Sequence, residues 1–405
     1  MKTSPPEDVG LSSTTLNRIH KVMQGYVDQN KLAGLITMLA RRGRVAHFER
    51  FGMMDIEANK PMQLDTIFRI RSMTKPITAV AVMMLYEEGH FQLYDPLSEF
   101  IPAFKGGQVY AGTTEARIEL ADLEREISIR HLLTHTSGLD SGFGQDQPLA
   151  AMYAELQADL FGAPKTGAGS TLQERVQKLA KIPLLHLPGR AWRYGWSYEV
   201  LAHLVEVISG ISFDAFLQQR IFEPLGMVDT GFYVPQGKRE RFAVLYGAAE
   251  QGGLQIIEGP SQNWRTRYPI SGSTGLVSTA SDYMRFAQML LDGGELDGQR
   301  LLGRKTVEFM TVNQLPAELL PIAVIPEHIM NGYGYGFGVS VLMKVPPSEV
   351  LSSKGSFGWP GYATTHFWVD PRQELVGLIM AQFAPLGYYP VYDQFRVLCY
   401  QAIVD

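Results

Sequence analysis

A chain of 405 residues with 45% hydrophobic content can bury a large core and has room for two or three structural units, which suits an enzyme better than a small binding module. Its formal charge of -5, mixed in sign along the sequence, offers no basic stripe to phosphates, so nucleic acid is not an expected partner. Cys399 is the only cysteine, which excludes an intramolecular disulfide and leaves no material for a cysteine-rich zinc or redox centre.

The leading stretch MKTSPPEDVGLSS has no apolar h-region, and no uninterrupted apolar run approaches the roughly 20 residues of a membrane span. The expectation is a soluble, cytoplasmic protein with no membrane contact; its oligomeric state is not legible. Next, STTLNRIHKVMQGYVDQNK carries Leu16, Ile19, Val22, Met23 and Tyr26 at the spacing of an amphipathic helix. LAGLITMLARRGRVAHFERFG then reads as two strands around the polar turn RRGR.

From Pro76 to about Met227 helical patterns dominate, as in TAVAVMMLYEEG, ISIRHLLTH, LQERVQKLAKI and YEVLAHLVEVISG. In TASDYMRFAQMLLDGG, Ser281 or Asp282 is the expected helix cap. Strands return in YGFGVSVLMKV, YATTHFWVD and ELVGLIMAQF, before a last helix from about Val391 to Ala402. This order predicts an α/β (α+β) protein: an antiparallel sheet built from both termini, residues 1–75 and 245–405, with a mainly α-helical domain, 76–244, inserted between them.

The stretch IRSMTKP sets Ser72 and Lys75 three apart at a helix start, where both side chains share one face and the amine can reach the hydroxyl. Alone this is weak, since roughly one S-x-x-K is expected by chance in such a chain. Pro76 leaves the carbonyl of Ser72 without its i+4 donor, which predicts SMTK as a tight first turn and the regular helix from Pro76. No G-x-S-x-G elbow, Walker loop or strand-borne G-x-G-x-x-G competes with it, and GYGYGFG reads as a strand approach. HLLTH spaces His131 and His135 for a metal but lacks the glutamate of H-E-x-x-H, so the expected reading is one exposed and one capping histidine.

Two further stretches complete a pattern: WRYGWSYEVLAHLVEVISG, with Tyr194 ahead of a helix, and FGWPGYATTHFWVD. With FRIRSMTKP, IRHLLTHTSGL and STGLVSTASDYMRFAQMLLDGG, these occur in the order shown by the serine hydrolases of the class C β-lactamase and penicillin-binding-protein superfamily. The sequence most closely resembles its carboxylesterase branch, the family VIII esterases. The resemblance implies a β-lactamase-like fold with the active site between the sheet domain and the helical domain. It makes Ser72 the acylated nucleophile, Lys75 its partner and Tyr194 the tyrosine of the second motif, with Trp359, Pro360 and Gly361 where β-lactamases have K-T-G.

Serine needs a nearby base to attack at neutral pH, and Lys75 and Tyr194 are assigned jointly as base and acid, their microscopic division left open. Proline fits a strand only where its missing N–H faces away from a partner strand, so with period-two alternation the N–H of Tyr362 points to the same free edge as Pro360. There the resemblance puts half of an oxyanion hole, the other half being the N–H of Ser72. No metal or organic cofactor is implied.

The chain departs from β-lactamases at Trp196, where they have asparagine, and at Trp359, where they have lysine. Both changes favour apolar, uncharged groups over a charged antibiotic. Trp196, Trp359, Tyr362 and Phe143 are expected pocket walls. Arg71 is expected in a surface ion pair, and Lys354 is a distant substitute for the lost cation. The expected function is a serine carboxylesterase acting on short- to medium-chain or aromatic esters. The rivals are a β-lactamase, a D-amino peptidase or amide hydrolase, an acyltransferase, and a non-catalytic ligand-binding homologue.

Overall fold

The computed structural model describes residues 1–114, 117–142, 148–161, 170–259, 269–324, 329–345 and 351–405. Its N-terminal portion holds strand β1 (Lys2–Thr3), helix α1 (Arg18–Asp28) and the hairpin of β2 (Gly34–Arg41) and β3 (Arg44–Asp55). The C-terminal portion supplies β4 (Tyr333–Tyr335), β5 (Ser340–Leu342), β6 (Phe357–Gly361), β7 (Thr365–Asp370) and β8 (Leu375–Ala381). They form one sheet in the order β1-β3-β2-β8-β7-β6-β5-β4, with a ninth strand, Lys60–Pro61, against β3. All pairings are antiparallel except β1 with β3.

The two ends of the chain meet where β8 pairs with β2 along its length, and that seam is buried on both faces. Alternation along β2 explains how. Leu35 and Leu39 point into a core shared with Ile19 and Met23 of α1 and with Phe395 of the last helix, whereas Ile36, Met38 and Ala40 join the main core on the other face.

The interior of the chain is mainly helical. Helix α2 (Thr74–Glu87) is buried from Thr74 to Leu85 and packs on α4 (Ser197–Ser209). A helix apolar on all sides has to be a core helix. Helix α3 (Leu172–Leu179) lies against α4, and α5 (Ala280–Leu291) covers the sheet at β8 and β7. The terminal helix is α6 (Val391–Tyr400). No single helix among the described residues is long and apolar enough to cross a membrane.

Several local expectations need correction. The inserted region also contains a two-stranded hairpin, Gln108–Thr113 with Ile118–Asp122, whose mixed, largely exposed residues gave no strand pattern. The α5 cap is Thr279, whose hydroxyl accepts from Asp282 N at 3.2 Å, rather than Ser281 or Asp282. Helix α2 starts at Thr74 rather than Pro76, after a 3₁₀ turn over Arg71–Met73. FGWPG forms strand β6 ahead of β7, and YGFGVSVLMKV is divided between β4 and β5.

Strand β6 pairs with β5 only at Phe357 and Gly358, so among the described residues Trp359, Pro360 and Gly361 are paired on the β7 side alone. That placement makes Pro360 tolerable in a sheet. The free edge meets the turn carrying Ser72: a Cβ on Gly361 would stand 2.3 Å from the Ile70 carbonyl oxygen, which also accepts from Thr365 Oγ1 at 3.3 Å. Gly361→Ala should therefore force strand and turn apart and cost about 1–3 kcal/mol of stability. Chemical denaturation of the variant with an unchanged midpoint would show that the two backbones do not meet this closely.

Candidate active site

The 3₁₀ turn brings Ser72 to the start of α2, next to Arg71, a non-glycine residue with φ +48°. Such backbone strain persists only where the surroundings impose it, and it recurs at functional sites. Thr74 Oγ1 bonds back to the Arg71 carbonyl at 2.7 Å, which ties the turn to the first residues of the helix.

Two side chains converge on Ser72. Its Oγ is hydrogen-bonded to Tyr194 OH at 2.8 Å and lies 3.5 Å from Lys75 Nζ. The lysine is 3% exposed, donates to the Ser273 carbonyl at 3.0 Å, and sits 4.5 Å from the centre of the Tyr194 ring. The indole N–H of Trp359 points to Tyr194 OH at 3.4 Å. The phenol thus touches the hydroxyl, lies over the amine and meets an N–H donor, an arrangement able to pass a proton to and from Ser72.

The Tyr194 ring is gripped by other rings: His135 at 4.9 Å, Trp359 at 5.6 Å and Trp192 stacked at 6.2 Å between centroids. His135 is fully buried and also meets Tyr198 and Tyr335. Burial, reinforced by Lys75, pushes its pKa well below the usual histidine range, so the imidazole is neutral. Of the two spaced histidines, His131 is indeed the cap, its Nδ1 accepting from Ser128 N at 3.1 Å, but His135 is buried rather than exposed. Among the described residues no three His, Cys, Asp or Glu side chains group to hold a metal.

The tryptophans stand differently from the expectation. Trp196 is only 4% exposed and its indole donates to the Ser141 carbonyl at 3.2 Å; Trp359 is 1% exposed beneath Tyr194. Neither presents open indole surface as a pocket wall. Tyr362, by contrast, is 57% exposed just past the free edge of β6. Phe143 lies outside the described residues. Arg71 does pair with a carboxylate, Glu258, but the arginine is buried and the glutamate half-buried rather than on the open surface, and Glu258 also binds Arg69 at 3.1 Å. Lys354 is exposed on its loop.

Sequence reasoning missed Ser273 and Glu199. The sole signal for Glu199 was an acidic residue in the first turn of an otherwise apolar helix, a place the helix dipole favours and that alone does not imply burial.

Known proteins share this arrangement of chain. The sequence is 34% identical over 362 residues to Protein Rv1367c of Mycobacterium tuberculosis, covering 88% of each chain. It is 31% identical to Esterase EstB of Burkholderia gladioli over 66% of this chain and 68% of that one. The solved structure of EstCE1, described as a hydrolase with promiscuous acyltransferase activity, superposes with a TM-score of 0.81 at 25% identity, covering 96% of this chain and 99% of that one. The family profile described as Beta-lactamase matches residues 19–398, so this chain belongs to the beta-lactamase family and is a serine hydrolase of β-lactamase-like fold.

Proposed function

We propose that the protein is a carboxylesterase of the family VIII type, hydrolysing short- to medium-chain or aromatic esters through an acyl-enzyme on Ser72. The observation that carries this reading is the contact of Ser72 Oγ with Tyr194 OH at 2.8 Å, with Lys75 Nζ at 3.5 Å. Residues 1–75 and 245–405 supply one side of the site in this reading, and the helical region 76–244 the other.

Attack of Ser72 Oγ on the ester carbonyl forms the C–O bond as its proton passes to the Lys75 and Tyr194 pair. Negative charge on the carbonyl oxygen is held by the backbone N–H groups of Ser72 and Tyr362, which the contact of Gly361 with Ile70 supports as neighbours. The same pair returns the proton to the departing alkoxide. Water then gives up a proton to the pair, attacks the acyl carbon and restores Ser72 as acid product leaves.

The case against a lactam rests on charge. The resemblance puts Trp359 where relatives bind a substrate carboxylate through lysine, and here its indole N–H faces Tyr194 rather than offering a cation. Acyl transfer to an alcohol is a second reading, supported by the described activity of EstCE1. An alcohol and water can enter the same acyl-enzyme step, so adding a primary alcohol to the assay and measuring the ester formed separates the two.

Wild type is expected to hydrolyse p-nitrophenyl butyrate and to leave a chromogenic cephalosporin nearly untouched, while Ser72→Ala lowers ester turnover on the order of 10⁴-fold or more. Efficient cephalosporin cleavage with weak ester turnover would reverse the assignment, and ester turnover that survives in Ser72→Ala would remove the nucleophile. Tyr194→Phe keeps the packed ring and loses the hydroxyl, so kcat should fall about 10²- to 10⁴-fold with KM little changed. Steady-state kinetics that show a KM effect alone would reduce Tyr194 to a binding contact.

A further inference from the structure

Lys75 lies at the centre of the site, yet its firmest hydrogen bond goes to the Ser273 carbonyl, nearly two hundred residues away, rather than to Ser72. What aims that carbonyl is a buried carboxylate. Glu199, 1% exposed in the first turn of α4, accepts through Oε1 from the hydroxyls of Ser271 and Ser273 and from Ser273 N, the last at 3.2 Å. The Ser271 hydroxyl oxygen in turn accepts from the N–H groups of Ser273 and Thr274, each at 3.2 Å.

With two successive N–H groups directed to one side, the turn is left with carbonyls for its other contacts, and both of those reach α2. Gly272 O accepts from Thr78 Oγ1 at 2.7 Å and Ser273 O accepts from Lys75 Nζ at 3.0 Å. The turn is pressed onto α4 as well: a Cβ on Gly272 would stand 2.0 Å from the Tyr198 carbonyl oxygen, so glycine alone fits. Arg175, also 1% exposed, holds the other carboxylate oxygen at 3.4 Å.

We propose that Glu199 is a positioning residue for the Lys75 amine, acting through the Ser271–Gly272–Ser273 turn. The inference rests on the assignment of Ser72 and Lys75 above. Glu199 follows Tyr194 by five residues, so one helix start delivers the phenol to Ser72 and the carboxylate that sets the anchor of Lys75. A small displacement of an activating group is costly, about 10²-fold in rate for 1 Å.

The test is Glu199→Gln in the full chain, whose amide keeps the shape but brings N–H donors among the donors of the turn. Three quantities are read: the rate of Ser72 labelling by a fluorophosphonate, kcat and KM for p-nitrophenyl butyrate, and the melting temperature. Labelling and kcat should fall about 10- to 100-fold with KM within about twofold, and Glu199→Asp should recover part of the loss. Leu204→Ala, a fully buried position on the same helix, supplies matched destabilisation and should keep kcat per folded molecule.

Wild-type labelling rates in Glu199→Gln would overturn the proposal, as would a loss reproduced by Leu204→Ala at equal destabilisation. If Glu199→Gln does not fold, the Ser271→Ala, Ser273→Ala double variant keeps the carboxylate and removes its two hydroxyl donors. Its labelling rate should fall in the same way, and an unchanged rate would overturn the proposal. Failure of the esterase reading looks different: wild type would be labelled without hydrolysing esters, or Ser72→Ala would be labelled equally, whatever Glu199 does.

Discussion

A lysine head group 3% exposed, at the start of a helix buried on all sides, has few ways to be satisfied. An amine taken out of water costs free energy unless polar partners replace the lost hydration. Lys75 finds one in the Ser273 carbonyl and one face of cover in the Tyr194 ring, and its remaining reach is toward Ser72. Much of the surrounding structure follows from bringing those groups together: residues near 72, 194, 273 and 359 are far apart in the chain and have to meet at one helix end. The buried seam of β2 with β8 brings the terminal segments into one sheet, and the packing of α4 on α2 brings in Tyr194.

Much of this was legible because the chemistry is carried by short patterns with local geometry. Ser72 and Lys75 share a helix face by spacing alone, the β2–β3 hairpin shows in its alternation, and Pro360 announces a free edge before any strand partner is known. What stayed hidden depends on distance. Nothing in YGWSYEV tells that Glu199 meets a turn 72 residues onward, because a buried acid and a solvated one look alike in sequence. The same holds for His135, whose spacing from His131 suggests a surface helix face, whereas its ring is enclosed by Trp192, Tyr194, Tyr198 and Tyr335.

The two tryptophans show how a substitution inferred from a resemblance can carry an incorrect location. Replacing a lysine and an asparagine by indoles removes polar anchors, and that consequence survives burial. The added apolar wall does not, because both rings are spent inside the fold. Trp196 donates to the Ser141 carbonyl, and Trp359 lies under Tyr194 with its N–H toward the phenol. Trp359 therefore faces the tyrosine rather than open space.

Enclosure on that side has a chemical consequence. Burial keeps His135 neutral, so it adds no positive charge beside Lys75, and the rings of His135, Trp192 and Trp359 pack around the half-buried Tyr194. In the proposed mechanism water and an alcohol each give up one O–H proton to the same base, so that base alone does not choose between them. An esterase and a hydrolase with promiscuous acyltransferase activity both stand among the relatives of this chain, as a shared fold that hosts different activities allows.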